Sequence, residues 1–144
     1  MPTMQFSTFT VADHLFGIEV LRVQEVIRHL EMTPVPLASR DISGLINLRG
    51  QIVTAIDLRE KLDMPQRTDG KLPMNVVVRS EESSVSLLVD AIGDVIEVDQ
   101  DAFERPPETM EGVARHLIRG AYKLDGRLLL VLDIERVLAV ATPA

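Results

Sequence analysis

The sequence has no cysteine and few aromatic residues: four Phe, one Tyr and no Trp among 144 residues. The lack of cysteine excludes disulfides, iron–sulfur clusters, thiolate zinc sites and cysteine nucleophiles. The small number of aromatic rings argues against a platform that stacks bases or sugars. No apolar run approaches the ~18–20 residues that a membrane span needs, and the first residues lack the segments of a signal peptide. We therefore expect a cytoplasmic protein without direct membrane insertion.

Positive charge is also scarce, since 15 Lys and Arg against 22 Asp and Glu give a formal net charge of −7. Nucleic-acid binding relies on cationic side chains that neutralise backbone phosphates. A small barrel that binds nucleic acid is therefore disfavoured, and we expect no nucleic-acid partner. The hydrophobic fraction of 46% and the charged fraction of 26% are typical of a soluble globular domain, and a chain of this length can bury a sizeable core.

Two stretches of the chain match two later stretches at constant offsets. Residues 44–62 match residues 120–138 at an offset of 76, and residues 16–27 match residues 85–96 at an offset of 69. In the first match the identical pairs are Gly44/Gly120, Leu48/Leu124, Gly50/Gly126, Asp57/Asp133 and Leu62/Leu138. The second half thus carries seven extra residues, which we place around 104–115. The sequence predicts an internal duplication within one unit of residues 1–144, with lobes of about 16–62 and 85–138 that exchange edge elements.

Short apolar runs between turns predict mostly β-structure in each half. The first hairpins join residues 6–11 with 15–20 and residues 76–78 with 85–89. The second hairpins turn at Arg49-Gly50 and at Asp125-Gly126, and Asp-Gly favours a type I′ turn. Helical spacing predicts a helix over 20–30, and Asp57 and Asp133 can each cap a further short helix, Asp57 in a capping box that Glu60 would close. The whole pattern favours two small β-barrels.

Few residues suit metal or acid–base chemistry. The three histidines, His14, His29 and His116, lie far apart in sequence and lack ligand spacing, so we expect no metal site and no cofactor. Asp57 and Asp133, one from each half, have two interpretations. They are helix N-caps, or they form the catalytic carboxylate dyad of a hydrolase.

Glu25 and Arg49 stand out because the duplication does not copy them. Their equivalents in the second half are Asp94 and Asp125. Arginine is enriched among the residues that dominate binding energy at protein interfaces, so Arg49 is a candidate for function. The alternative is an ordinary surface arginine in a turn.

The segment 42–58, ISGLINLRGQIVTAIDL, combines a glycine, Asn-Leu-Arg-Gly and a strand that ends in Asp-Leu. It resembles the CheW family of chemotaxis coupling proteins. Similar segments are found at residues 16–18, 23–27, 87–90, 93–95 and 128–138, so the resemblance covers about residues 5–140. It departs at Thr54-Ala55, where the family usually has Pro and Val.

The resemblance implies an all-β fold of two SH3-like, five-stranded barrels packed around a shared hydrophobic core. It also implies an adaptor without enzymatic activity. The partners would be the cytoplasmic tip of chemoreceptors and the regulatory domain of the chemotaxis histidine kinase, and the protein would be recruited to membrane-associated receptor arrays. The alternative within the family is a coupling protein of a non-flagellar system that controls surface motility or cyclic-dinucleotide synthesis.

The resemblance also implies which residues meet the partners. Arg49 would form a salt bridge with Glu25 at a partly exposed site between a helix and a hairpin. Val23 and its neighbours would line a groove between the barrels that receives a helical hairpin of the receptor. The protein-interaction residues expected on this basis are Val23, Glu25, Ile27, Gly44, Asn47, Arg49 and Gly50.

Overall fold

The computed structural model describes residues 2–28, 30–65, 70–80, 84–106 and 112–141. This part of the chain is mainly β-structure, which confirms the predicted fold class. The strands are β1 Thr3–Val11, β2 His14–Glu19, β3 Val23–Ile27, β4 Ile42–Leu48, β5 Gln51–Asp57, β6 Met74–Arg79, β7 Ser84–Val89, β8 Ala91–Asp99, β9 Phe103–Glu104, β10 Ile118–Leu124 and β11 Arg127–Leu132. The helices are α1 Leu58–Lys61, α2 Gly112–Leu117 and α3 Ile134–Ala141, and 3-10 turns occur at Val20–Arg22 and Gln100–Ala102.

The strands form two sheets. One has six strands in the order β8-β1-β2-β11-β10-β9, and the other has five in the order β3-β6-β7-β5-β4. Neighbouring strands are antiparallel, except that β2 is parallel to β11 and β5 is parallel to β7. The interior strands β2, β6 and β7 carry nearly continuous buried runs, as expected for strands that are covered on both faces.

Both sheets follow the same plan. The hairpin β1–β2 lies between β8 and β11, and the hairpin β6–β7 lies between β3 and β5. Each sheet therefore combines strands of one sequence repeat with the first hairpin of the other repeat. The exchanged elements are interior hairpins, which corrects the expectation of exchanged edge elements. The lobe limits 16 and 85 fall inside β2 and β7, so those limits do not follow the sheets.

Each sheet is closed by the segment that follows one of its edge strands. After β3 the chain crosses to β4, where the backbones of Thr33 and Leu45 exchange two hydrogen bonds of 2.8 Å. After β8, strand β9 crosses to β10 in the same way and pairs Glu104 with Ala121. Both sheets thereby become small barrels. The first barrel is β3-β6-β7-β5-β4, and the second barrel is β8-β1-β2-β11-β10-β9.

The repeated glycines Gly44 and Gly120 lie where these segments cross. A Cβ atom on Gly44 would lie 2.7 Å from the carbonyl oxygen of Thr33. A Cβ atom on Gly120 would lie 2.5 Å from the carbonyl oxygen of Glu104 and 2.1 Å from the ring of Phe103. Only glycine allows backbone to approach this closely, so barrel closure explains why both repeats have glycine at this position.

The largest group of buried side chains is shared by the two barrels. It includes Phe9 and Phe16 from the second barrel and Ile56 and Leu87 from the first. The three helices add Leu58, Leu117 and Val137. A smaller buried group lies within each barrel. The shared core makes the two barrels one packed unit.

The helix predicted over residues 20–30 is wrong. Only Val20–Arg22 is helical, as one 3-10 turn, and Val23–Ile27 is strand β3. β3 pairs with β6 through residues 75–78. The apolar residues of β3 are β-branched, which suits a strand. The spacing of these residues fits a helix as well as a strand, and pairing with β6 favours the strand.

The two other predicted helices are confirmed as α1 and α3. α2, at Gly112–Leu117, lies where the second repeat carries its extra residues. Residues 107–111 of that insertion lie outside the described residues. None of the helices in the described part of the chain is long and apolar enough to cross a membrane.

Candidate functional site

The carboxylate of Glu25 and the guanidinium of Arg49 form a bidentate ion pair. Arg49 Nη1 donates to Glu25 Oε2 at 2.6 Å, and Nη2 donates to Oε1 at 2.9 Å. The Glu25 side chain is 18% exposed, whereas that of Arg49 is 75% exposed. The two residues were expected to make this contact, but Glu25 lies on strand β3 and not on a helix.

The turn that carries Arg49 has an unusual backbone. Arg49 and Gly50 have φ values of +53° and +87°, and they join Leu48 and Gln51, the last pair of the β4–β5 ladder. Two successive positive φ angles are the signature of a type I′ turn. Glycine adopts this conformation freely, but in a residue with a Cβ atom it costs roughly 1–2 kcal/mol.

Asn47 is bound to the same turn. Its Oδ1 accepts a hydrogen bond from the backbone N–H of Gly50 at 2.9 Å. In a two-residue hairpin loop this N–H has no partner in the strand ladder, so a side chain or water must satisfy it. Asn47, Arg49 and Gly50 thus belong to one hydrogen-bonded turn.

The equivalent turn in the second barrel is built differently. Asp125 and Gly126 join Leu124 and Arg127, and of these two turn residues only Gly126 has a positive φ, at +80°. The type I′ turn predicted for Asp125-Gly126 is therefore wrong, because glycine alone supplies the left-handed position that this turn needs. Asp125 also replaces Arg49, so the second turn cannot form the same ion pair.

The other expected site residues lie against the cores or at the barrel crossing. Val23 is half-buried against the shared core, and Ile27 is half-buried against the core of the first barrel. Gly44 lies beneath the crossing segment that closes the first barrel, so the structure assigns it a packing role. These positions leave the interaction role of Val23 and Ile27 as a prediction.

Sequence reasoning missed two exposed apolar residues near the ion pair. Val26 follows Glu25 on β3 and is 41% exposed, and Ile52, the cross-strand partner of Asn47, is 66% exposed. Both match an apolar residue in the second repeat, Val95 and Leu128. Those equivalents are also exposed, so the repeat signalled an apolar surface.

A second bidentate ion pair, between Arg59 and Asp90, was also missed. Arg59 Nε donates to Asp90 Oδ1 at 3.0 Å and Nη2 donates to Oδ2 at 2.5 Å. Asp90 Oδ2 also accepts from the backbone N–H of Ala12 at 2.8 Å. The residues are 31 positions apart, and no local sequence pattern links them.

Asp57 and Asp133 each cap the helix that follows. Asp57 Oδ1 accepts from the N–H of Arg59 at 3.0 Å, and Asp133 Oδ1 accepts from the N–H of Arg136 at 3.2 Å. The N–H of Asp57, which a capping box would direct to the Glu60 side chain, donates to the carbonyl oxygen of Asp41 at 2.7 Å.

The environment of Asp57 affects its titration. Burial raises the pKa of the Asp57 carboxyl above its ordinary value, and the N–H groups of Arg59 and Glu60 oppose this rise. The hydrogen bonds from helix N–H groups explain why Asp57 and Asp133 are found at these two positions. Within the described residues no group of three or more His, Asp or Glu could hold a metal ion, and His29 lies outside those residues.

The sequence and the fold are similar to those of known proteins. The model of the CheW-like domain family matches residues 5–142. The chemotaxis protein CheW of Treponema pallidum is 29% identical over 136 residues, which cover 92% of this chain and 80% of that protein. The chemotaxis protein CheW of Klebsiella aerogenes is 30% identical over 135 residues, which cover 94% and 81%.

A solved structure is similar over nearly the same length. It is the scaffolding protein TtCheW from Thermoanaerobacter tengcongensis, with a TM-score of 0.82 and 28% identity, covering 92% of this chain and 90% of that chain. Family model, relatives and structure agree on one family across almost the whole sequence. The chain belongs to the family of CheW-like domains.

Proposed function

We propose that this protein is a non-enzymatic scaffold adaptor that joins the cytoplasmic tip of chemoreceptors to the regulatory domain of the chemotaxis histidine kinase. Membership of the CheW-like family supports this proposal, as do relatives named as chemotaxis and scaffolding proteins. In this role the protein is recruited from the cytoplasm to receptor arrays at the membrane. The observation that carries the proposal is the Glu25–Arg49 pair, which only one of the two equivalent barrels contains.

The geometry of the pair suits recognition better than folding. An exposed ion pair contributes only about 0–1 kcal/mol to stability. Glu25 uses two of the five N–H donors of the Arg49 guanidinium, and most of the Arg49 side chain faces solvent. Glu25 therefore holds the planar guanidinium in place. The other N–H donors of Arg49 stay available for acceptor oxygens on a partner.

Apolar surface at β3, on the face opposite to Glu25, supports the docking of a helical hairpin. Leu21, on the 3-10 turn before β3, is 87% exposed, and Val26 on β3 is 41% exposed. Val23 lies between them and is half-buried. Amphipathic helices bind proteins by placing apolar side chains against such surfaces. We assign this side of β3 to the receptor tip.

The proposal is tested by binding of the purified full-length protein to two probes from the same organism. One probe is the kinase regulatory domain, and the other is a soluble cytoplasmic fragment of a receptor. Arg49→Ala is compared with Asp125→Ala, the matched change in the second hairpin. We expect Arg49→Ala to weaken binding about tenfold, as for an interface hot spot, and Asp125→Ala to bind as the wild type does.

Thermal melting of the same variants separates binding from folding. The expected result is a nearly unchanged melting temperature for Arg49→Ala, because its ion pair is exposed. If wild-type protein binds neither probe, the proposed function is wrong. If Arg49→Ala melts much earlier while the folded fraction binds normally, Arg49 is a structural residue and the site assignment fails.

A further inference from the structure

The hydrogen bond from the N–H of Gly50 to Asn47 suggests that Asn47 acts on Arg49 indirectly, through the turn. Gly50 N–H is one of the two donors in the β4–β5 turn that the strand ladder leaves without a partner. Asn47 Oδ1 accepts from it at 2.9 Å. Asn47 does not touch Glu25 in this arrangement: the partners of Glu25 are the two Nη atoms of Arg49.

The second barrel shows what the turn does without such an acceptor. Lys123 occupies the position of Asn47, and a lysine ammonium has no acceptor atom. There the first turn residue, Asp125, does not have a positive φ. Where the acceptor is present, the first turn residue, Arg49, takes a φ of +53° although it has a Cβ atom. The two turns therefore differ both in the presence of the side-chain acceptor and in the φ angle of the first turn residue.

We propose that Asn47 is a positioning residue for partner recognition: its hydrogen bond to Gly50 keeps the turn left-handed at Arg49, so that the guanidinium meets Glu25 and faces the partner. Without the bond, the turn relaxes towards the form seen at Asp125-Gly126, and Arg49 points elsewhere for part of the time. The recognised group on the partner is a hydrogen-bond acceptor oxygen, because the free donors of Arg49 are N–H groups. This inference rests on the proposed function.

The test uses a double-mutant cycle on the full-length protein, with the kinase regulatory domain and the receptor fragment as probes. Asn47→Ala removes the acceptor, Asn47→Asp keeps an acceptor oxygen at the same place, and Lys123→Ala is the matched control in the second barrel. We expect Asn47→Ala to weaken binding about three- to tenfold. Asn47→Asp should restore most of the loss, and Lys123→Ala should bind as the wild type does.

The cycle distinguishes positioning from a direct contact or a folding defect. If Asn47 acts through Arg49, Asn47→Ala has no further effect on binding in the Arg49→Ala background. Amide exchange of Gly50, followed by NMR, should be faster in Asn47→Ala than in the wild type and slow again in Asn47→Asp.

Failure of this inference differs from failure of the proposed function. If Arg49→Ala weakens binding and Asn47→Ala does not, Asn47 has no positioning role and the adaptor function stands. If the effects of Asn47→Ala and Arg49→Ala add in full, Asn47 contacts the partner itself and the inference is overturned. If wild-type protein binds neither probe, the proposed function is at fault.

Discussion

Arg59 and Asp90 form the same bidentate geometry as Arg49 and Glu25, but with a far more buried arginine. The carboxylates Asp90 and Glu25 are equally buried, at 18% exposed, but Arg59 is 17% exposed against 75% for Arg49. Asp90 also accepts from the N–H of Ala12, and Arg59 Nη1 donates to the carbonyl oxygen of Pro65 at 2.8 Å. The pair thus ties α1 of the first barrel to the β1–β2 turn of the second.

Burial decides what removal of these arginines does to stability. Arg59→Ala removes a buried guanidinium that bonds both Asp90 and the carbonyl oxygen of Pro65, and we expect the free energy of unfolding to fall by about 2–4 kcal/mol. Arg49→Ala should lower it by only about 0–1 kcal/mol. Urea unfolding of both variants measures the difference. Equal losses would mean that Arg59 and Asp90 do not clamp the barrels together.

The crossing segments predict a local effect of glycine substitution. In Gly44→Ala the new methyl group meets the carbonyl oxygen of Thr33, so the closing segment must move. We expect the free energy of unfolding to fall by about 1–3 kcal/mol. Amide exchange of Thr33 and Leu45, whose backbones pair at this crossing, should accelerate more than that of the second barrel.

Gly126→Ala is the control for this experiment. Nothing lies within 4 Å of a Cβ at Gly126, but its φ is +80°. This variant should also lose stability, by roughly 1 kcal/mol, and leave the relative protection of Thr33 and Leu45 unchanged. If Gly44→Ala and Gly126→Ala give the same exchange pattern, Gly44 is not needed for closure.

The duplication could be read from the sequence because backbone demands recur with it. Gly44 and Gly120 serve the crossings, and Asp57 and Asp133 serve the helix starts. Closure needs glycine, and helix starts favour a small set of capping residues that includes aspartate, so the same residue types recur at a constant offset. The mostly-β class could also be predicted, because each short apolar run corresponds to one strand.

The arrangement of the strands could not be read in this way. The parallel pairing of β5 with β7, and of β2 with β11, joins segments far apart in the chain. Apolar spacing over 20–30 fits a helix as well as a strand, and only the contact with β6 decides it. The role proposed for Asn47 rests on its hydrogen bond to Gly50, which the spacing of the residues does not reveal.

Asp57 predicts a pH dependence with a definite sign. Burial raises the pKa of its carboxyl in the folded protein above the ordinary value of 3.8. The folded state then binds the proton more tightly than the unfolded state, so the contribution of this group to stability falls as pH rises from 3.8 through the raised pKa. Above that pKa its contribution is constant.

Asp57→Asn and Asp57→Ala separate the charge from the cap. Asparagine keeps an acceptor for the N–H of Arg59 and carries no charge that burial penalises, whereas alanine loses the cap, for about 0.5–2 kcal/mol. Relative to the wild type, Asp57→Asn should gain stability between pH 4 and pH 7. Urea unfolding at both values measures this, and a relative loss would show that the charge itself stabilises the cap.

Leu37 predicts a substitution that stabilises the protein. It follows Pro36 in a turn closed by a hydrogen bond from Ala38 N–H to the carbonyl oxygen of Val35, and its φ is +64°. This is the third position of a type II turn, which favours glycine, and the Leu37 side chain is fully exposed, so it loses no packing. Relief of the left-handed strain, roughly 1–2 kcal/mol, exceeds the entropy that glycine adds to the unfolded chain, about 0.5–1 kcal/mol.

We therefore expect Leu37→Gly to raise the free energy of unfolding by up to about 1 kcal/mol. Leu72→Gly is the matched control, because Leu72 is also exposed, at 63%, and does not have a positive φ. There glycine brings only the entropic penalty, so stability should fall by about 0.5–1 kcal/mol. Thermal and urea unfolding of the two variants must shift in opposite directions, and a loss of stability in both would show that the turn at Leu37 is not strained.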